Sequence, residues 1–249
     1  MKRILLVFSI SLLFLSCRER GMFRSPKPGF GFTSTTYSAD ESSLEYQMEM
    51  ALLTNDKDER YKKVEELLKM GANPNKMTGQ FKWVDTNPLW KICGSERFVQ
   101  LFVSYGANVK NRPYVAKATA GRIATTKEQY DEWKKEGYAA IKLEDTAFKA
   151  AKILLENGAD PNLKWIGGEK ILIPATNWNY LRYFRKHGKL PINNAIKYNA
   201  IKLTTLLLNN GAIIDDESLK LATEITKRTG SSEMEELVKK QWDVQQGLQ

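Results

Sequence analysis

The chain has 249 residues, 42% hydrophobic and 27% charged, with 38 lysines and arginines against 29 aspartates and glutamates and a formal net charge of +9. That length holds one or two domains, and the supply of aliphatic and aromatic residues at an ordinary charge content excludes both a disordered chain and a membrane-spanning one. One histidine and two cysteines exclude a histidine-built zinc site and a disulfide framework.

Lys2 and Arg3 precede an apolar run from Ile4 to Leu15, followed by Ser16 and Cys17. The run falls short of the about 20 apolar residues that cross a bilayer and has the layout of a secretory signal. Leu13-Phe14-Leu15-Ser16-Cys17 resembles the lipobox of bacterial lipoproteins, with Phe14 where that family most often has leucine. The resemblance implies that residues 1–16 are a cleaved signal peptide and that Cys17 becomes a lipidated N-terminus. The chain would then be anchored to a membrane of the bacterial envelope, inner or outer. An ordinary cleaved signal and an uncleaved anchor are the alternatives. A basic surface can attract nucleic acid, anionic lipid or an acidic protein, and an envelope location points away from nucleic acid. With Cys17 lipidated, Cys93 has no intrachain partner and reads as a small buried hydrophobe.

Residues 17–43 are rich in Gly, Pro, Ser and Thr, with aromatics at Phe23, Phe30, Phe32 and Tyr37. They read as a tether, unless those aromatics pack on the first repeat unit of the chain. From Leu44 the spacing predicts a helix to about Leu53, a polar break at Asn55–Asp58, and a second helix to Met70. Glu41, Glu45 and Glu49 are expected on the outer face of the first helix. A hairpin-like loop carrying Phe81 and Trp83 leads to Pro88, and a compressed unit ends at Ala107. Between 111 and 146 two readings stand. Either Pro113-Tyr114-Val115-Ala116 opens a helix and Thr125 to Glu144 is inserted before the next, or 113 to 135 is the insertion. Phe148 to Glu156 is helical in both. A second insertion comes after Asn162, with a strand-like Ile171 to Pro174 and an aromatic and basic run from Trp178 to Lys186. The last helices run over Asp216–Lys227 and Ser231–Gln245, split at Gly230, with Ser231 and Ser232 as caps and Glu235 in support.

One pentapeptide recurs along the chain: Gly71-Ala72-Asn73-Pro74-Asn75, Gly106-Ala107-Asn108-Val109-Lys110, Gly158-Ala159-Asp160-Pro161-Asn162 and Gly211-Ala212-Ile213-Ile214-Asp215. Each copy comes after an apolar i, i+3, i+4 stripe, such as Val64, Leu67 and Leu68, so each closes an amphipathic helix with a glycine suited to the left-handed C-terminal position. The glycines lie 35, 52 and 53 residues apart (71 to 106, 106 to 158, 158 to 211). These features resemble the ankyrin repeat family, whose unit of about 33 residues ends in Gly-Ala-Asp/Asn. Leu190-Pro191-Ile192-Asn193-Asn194-Ala195 and Asn87-Pro88-Leu89-Trp90 are similar to its Thr-Pro-Leu-His signature without the Thr or the His. The resemblance implies an all-α, helix-turn-helix solenoid of about four repeats over 44–249, ending near 75, 110, 162 and 215, with two insertions and a helical cap at 216–246. Gly71, Gly106, Gly158 and Gly211 are the structural stops.

Nothing in the sequence assembles catalytic chemistry. His187 stands alone, so no histidine-based triad can form. Glu65/Glu66, Asp215/Asp216 and Glu235/Glu236 fall on predicted solvent faces, and Gly167-Gly168-Glu169-Lys170 lacks phosphate-loop spacing. The ankyrin resemblance implies partner binding on a concave side. That side maps to Lys76, Phe81 and Trp83 in the first finger, Lys110 and Arg112 in the second, and Lys164, Trp165, Trp178, Tyr180 and Arg182 in the third. The aromatics from Trp178 to Phe184 form either an interface or a small private core. The expectation is a monomeric, membrane-anchored envelope lipoprotein that binds another, acidic protein and uses no cofactor or metal. An immunity protein neutralising a toxin is the specific version. A structural envelope protein without a dedicated partner and a periplasmic hydrolase are the competitors.

Overall fold

Periodic apolar residues give eleven helices among the described residues, of which Ser43, Asp56, Thr126 and Asp215 cap four. Those residues are 41–76, 88–110, 112–165 and 188–247 of a computed structural model, all within the unit Ser38–Gln249. In chain order the elements are α1 (Leu44–Ala51), α2 (Lys57–Lys69), α3 (Pro88–Ile92), α4 (Glu96–Ser104), α5 (Tyr114–Ala118), β1 (Arg122–Ala124), α6 (Lys127–Lys135), β2 (Ile141–Leu143), α7 (Glu144–Glu156), α8 (Pro191–Lys197), α9 (Ile201–Asn209), α10 (Asp216–Thr229) and α11 (Glu233–Gln245). The chain is thus mostly helical. Helices pair as α1 with α2, α3 with α4, α5 with α7, α8 with α9 and α10 with α11. The pairs then adjoin: α4 packs on α7, α7 on α9 and α9 on α11 in one row, and α5 on α8 and α8 on α10 in the other. Fully buried Phe102, Leu154, Leu203 and Leu207 fill the second-helix row, while Leu89, Tyr114, Ile192 and Ile196 fill the first. Each such side chain contributes roughly 1.5–3 kcal/mol.

All four helix stops share one geometry. The N–H of Ala72, Ala107, Ala159 and Ala212 each donates to the carbonyl five residues back, at 3.0 Å in every case. The preceding glycines bond three residues back and have φ of 101°, 83°, 85° and 82°, a region that a Cβ disfavours. In the first three copies the Asx side chain also accepts from the N–H two residues on: Asn73 from Asn75 at 2.9 Å, Asn108 from Lys110 at 2.9 Å, Asp160 from Asn162 at 2.7 Å. The fourth copy has Ile213 there, and its Asp215 instead caps α10, exchanging bonds with Ser218. Asp215 is therefore a helix cap, and not the solvent-facing carboxylate the sequence suggests.

Two asparagines bracket neighbouring stops. Asn75 donates through Nδ2 to the Gly106 carbonyl at 2.9 Å and accepts at Oδ1 from the Asn108 N–H at 2.6 Å. Asn162 does the same to Gly211 at 2.9 Å and Ile213 at 2.8 Å. Where the second copy ends in Lys110, the lysine's aliphatic chain lies against Gly158 instead. At the last stop Gln245 of α11 takes over, bonding the Ala212 carbonyl and the Ile214 N–H.

The segment between α5 and α7 is an insertion, as the first of the two sequence readings has it. It contains a feature that reading lacks: β1 and β2 pair in parallel, Arg122 with Ile141 through Ala124 with Leu143, with α6 as the crossover. A parallel pair needs such a crossover. Helix α7 starts at Glu144, four residues before its expected start at Phe148. Glu144 is only 8% exposed, and its Oε1 accepts from the Leu203 N–H at 3.0 Å. Helix α9 has no cap of its own, since Ala200 holds that position, so a neighbouring helix supplies one. Burial raises the Glu144 pKa while the Leu203 N–H opposes the rise.

Two further expectations are corrected. Glu45 and Glu49 do not face outward. Glu45 bonds the Asn73 N–H and Lys76, which hold its carboxyl below the ordinary value, and Glu49 bonds Lys91 at 2.6 Å. Ser232 makes no side-chain cap bond to the start of α11; its hydroxyl reaches Glu236, and Glu235 is committed to Lys239 and Thr223.

Candidate partner-binding surface

The first helices α3, α5 and α8 begin with Pro88, Tyr114 and Pro191, and the fourth residue of each is Lys91, Lys117 and Asn194. One register position therefore supplies a polar row. Lys91 pairs with Glu49 of α1. The Lys117 Nζ lies 5.3 Å from the Trp90 ring centroid and 4.9 Å from that of Trp165, distances at which a cation and an aromatic face attract. Asn194 donates to the carbonyls of Thr119 and Gly121 at 2.6 and 3.1 Å and so fixes the root of the insertion. Trp165 and Lys189 exchange backbone hydrogen bonds at 3.1 and 2.9 Å, which closes the base of the second insertion.

The residues expected to meet a partner divide into three groups. Lys76 and Lys110 are exposed and Lys164 and Trp165 half-buried; of these, Lys76 already holds Glu45 at 3.0 Å and Trp165 already faces Lys117. Arg112 is only 9% exposed. It sits one residue before Pro113, whose own position is buried with the start of α5, so it belongs to the interior of this joint and not to the surface. Cys17, Phe81, Trp83, Trp178, Tyr180 and Arg182 lie outside the described residues, as do His187 and the run from Ile171 to Pro174. Lys91 and Lys117 escape a sequence reading centred on the fingers, and Trp90, which backs Lys117, is buried at 4% exposure. Pro88 and Pro113, which mark where each first helix begins, are the signal that points to them.

Beneath this row lies a small buried polar group. The Lys142 Nζ donates to the Ala118 carbonyl at 2.7 Å and lies near Gly94. Loss of water lowers its pKa from 10.5 to about 8, with Lys117 adding to the fall and Cys93 opposing it. Burial pushes the Cys93 thiol up to about 12. It remains a protonated hydrophobe whose Sγ reaches the Trp90 carbonyl at 3.5 Å, an environment opposite to that of a reactive thiolate.

Among the described residues no group of three or more metal-ligating side chains converges, and no helix is long and apolar enough to cross a membrane. The chain matches no protein-family model and no curated protein.

Proposed function

We propose that the chain is an ankyrin-like helical solenoid acting as a protein–protein interaction module, tethered by lipid on Cys17 to a membrane of the bacterial envelope. The observation that carries the repeat reading is the recurrence of one helix stop at Gly71, Gly106, Gly158 and Gly211, with the same hydrogen bonds and the same left-handed glycine. The paired brackets of Asn75 and Asn162 support it further. Units that cannot bury an apolar face alone stack against neighbours, which brings their first helices into register. The surface assigned to the partner is Lys91 and Lys117 with the half-buried Trp165, extended by Lys76, Lys110 and Lys164, while Trp90 backs Lys117 from the core. Cations beside aromatics suit an acidic partner. In its specific form the module is an immunity protein that neutralises a toxin delivered to the periplasm.

In-cell crosslinking of the full chain, with mass spectrometry of the envelope fraction, is expected to recover an acidic protein. Lys117→Gln should cut that recovery roughly tenfold, the loss of one charge-assisted contact, at unchanged thermal stability. Equal recovery from both forms, or none above background, counts against the binding role. Cys17→Ala should move the chain out of the membrane fraction; unchanged fractionation would remove the lipid anchor from the proposal.

A further inference from the structure

A cleft of about 620 Å³ opens where three stretches distant in sequence meet: the insertion (β1 and α6), the end of α8 and the end of α10. Among the described residues its charged lining is Arg122, Lys197 and Arg228, with no carboxylate. Among the described residues the ion pairs all engage other lysines and arginines. Packing and backbone position the two arginines instead, and the Lys197 Nζ lies 5.7 Å from the Tyr198 ring centroid. The Arg122 guanidinium lies 3.5 Å from the Tyr138 ring centroid and 5.5 Å from that of Trp133. Trp133 meets Tyr198 edge-on at 5.9 Å, and the Arg228 Nη2 donates to the Lys197 carbonyl at 3.2 Å.

Basic residues often sit at helix C-termini to answer the negative end of the dipole, and α8 and α10 both end here. Each terminus carries about half a negative charge, so two of them offset roughly one of the three cations. Helix α6 sorts its side chains in the same sense. Gln129 and Trp133, one turn apart, face this cleft, whereas Glu128, Asp131, Glu132 and Glu136 line a separate one together with Lys135. A helix with as many lysines as carboxylates has thus turned its carboxylates away from the cations.

We propose that this cleft binds a phosphate group, carried either by a soluble small molecule or by a lipid headgroup. Arg122, Lys197 and Arg228 supply the charge, Gln129 a neutral donor, and Trp133 an apolar wall for whatever the phosphate is attached to. Charge-assisted bonds of this kind are the strong ones, and the volume falls in the range that small ligands occupy. None of these residues belongs to the partner-binding row, so the two proposals stand or fall separately.

The test is calorimetric titration of the full chain at constant ionic strength with two probes, pyrophosphate and a water-soluble short-chain phosphatidic acid. At least one is expected to bind, and the tighter of the two identifies the source. Lys197→Gln and Arg228→Gln, both exposed positions that leave the fold intact, should each weaken that probe by roughly tenfold. Lys220→Gln, on α10 outside the cleft, should leave it unchanged. Failure of both probes to bind at millimolar concentration overturns the proposal, as does equal weakening by Lys220→Gln.

Discussion

Replacing Asn75 or Asn162 by alanine removes the bracket between consecutive helix stops without touching the core. Each side chain makes one donated and one accepted bond, at 2.9 and 2.6 Å for Asn75 and at 2.9 and 2.8 Å for Asn162. A protein hydrogen bond contributes a net 0.5–1.5 kcal/mol, and water competes at these rims, so each variant should lose about 1–2 kcal/mol. For a domain of this size that is about 4 °C in Tm. Asn75→Asp is the sharper probe. It keeps the acceptor for Asn108 but sets a carboxylate oxygen against the Gly106 carbonyl, and should cost at least as much as alanine at neutral pH. Urea denaturation monitored by circular dichroism gives the midpoints and slopes. The two alanine variants should shift the midpoint by similar amounts at an unchanged slope, and the double variant should approach their sum. A loss under about 0.3 kcal/mol at both sites, or a loss at one site and none at the other, refutes the equivalence of the two joints.

Two further outcomes test the insertion and the buried amine. Gly121 has φ of 90°, and a Cβ there would overlap the Ala140 carbonyl oxygen, which is backbone and cannot swing aside. Gly121→Ala should therefore cost about 3 kcal/mol or more and expose the Arg122 N–H, now bonded to Ala140 at 3.0 Å, to hydrogen exchange; Gly137→Ala, with φ of 79° and open space around it, should cost only about 1 kcal/mol, and equal costs would refute the clash. Lys142 titrates near 8 when folded against 10.5 ordinarily, so the unfolded chain binds the extra proton between those values and stability from this group rises with pH across that window. Below pH 8 the charged form bears the full desolvation cost, about 3 kcal/mol at 1.4 kcal/mol per pH unit. Lys142→Met should be more stable than wild type at pH 7, less the lost bond to Ala118, and the advantage should vanish by about pH 10.5; a constant difference from pH 7 to 10.5 would place the charge in water.

The helix stops were legible because their chemistry is local: a glycine, an Asx side chain and the apolar stripe before them lie within a dozen residues. The first helices at Pro88 and Pro191 were legible for the same reason, as proline marks a start, and Pro113 offered the helix at Tyr114 as one of two readings. What escaped the sequence depends on distance. Strands β1 and β2 are three residues each, too short for a pattern, and pair only because α6 carries the chain back. Glu144 looked like the end of a loop, yet it caps α9, 59 residues on. Glu45 and Glu49 read as a solvent stripe because their partners Lys76 and Lys91 stand 31 and 42 residues away. Arg112 read as a finger cation, and only packing against its neighbours shows it buried. The cationic cleft is assembled from positions near 122, 197 and 228, and no spacing rule joins them.

The parallel ladder of β1 and β2 also decides what this part of the chain tolerates. Because Arg122 to Ala124 and Ile141 to Leu143 lock the entry and exit to one another, residues 125–139 form a cassette held at both ends by the ladder and by the Arg122 bond to Ala140. Exchanging that cassette for an unrelated helix would strip Trp133 and Gln129 from the cleft while leaving α5 and α7 seated. The scaffold and the ligand chemistry can then diverge at different rates, in a laboratory library or over descent.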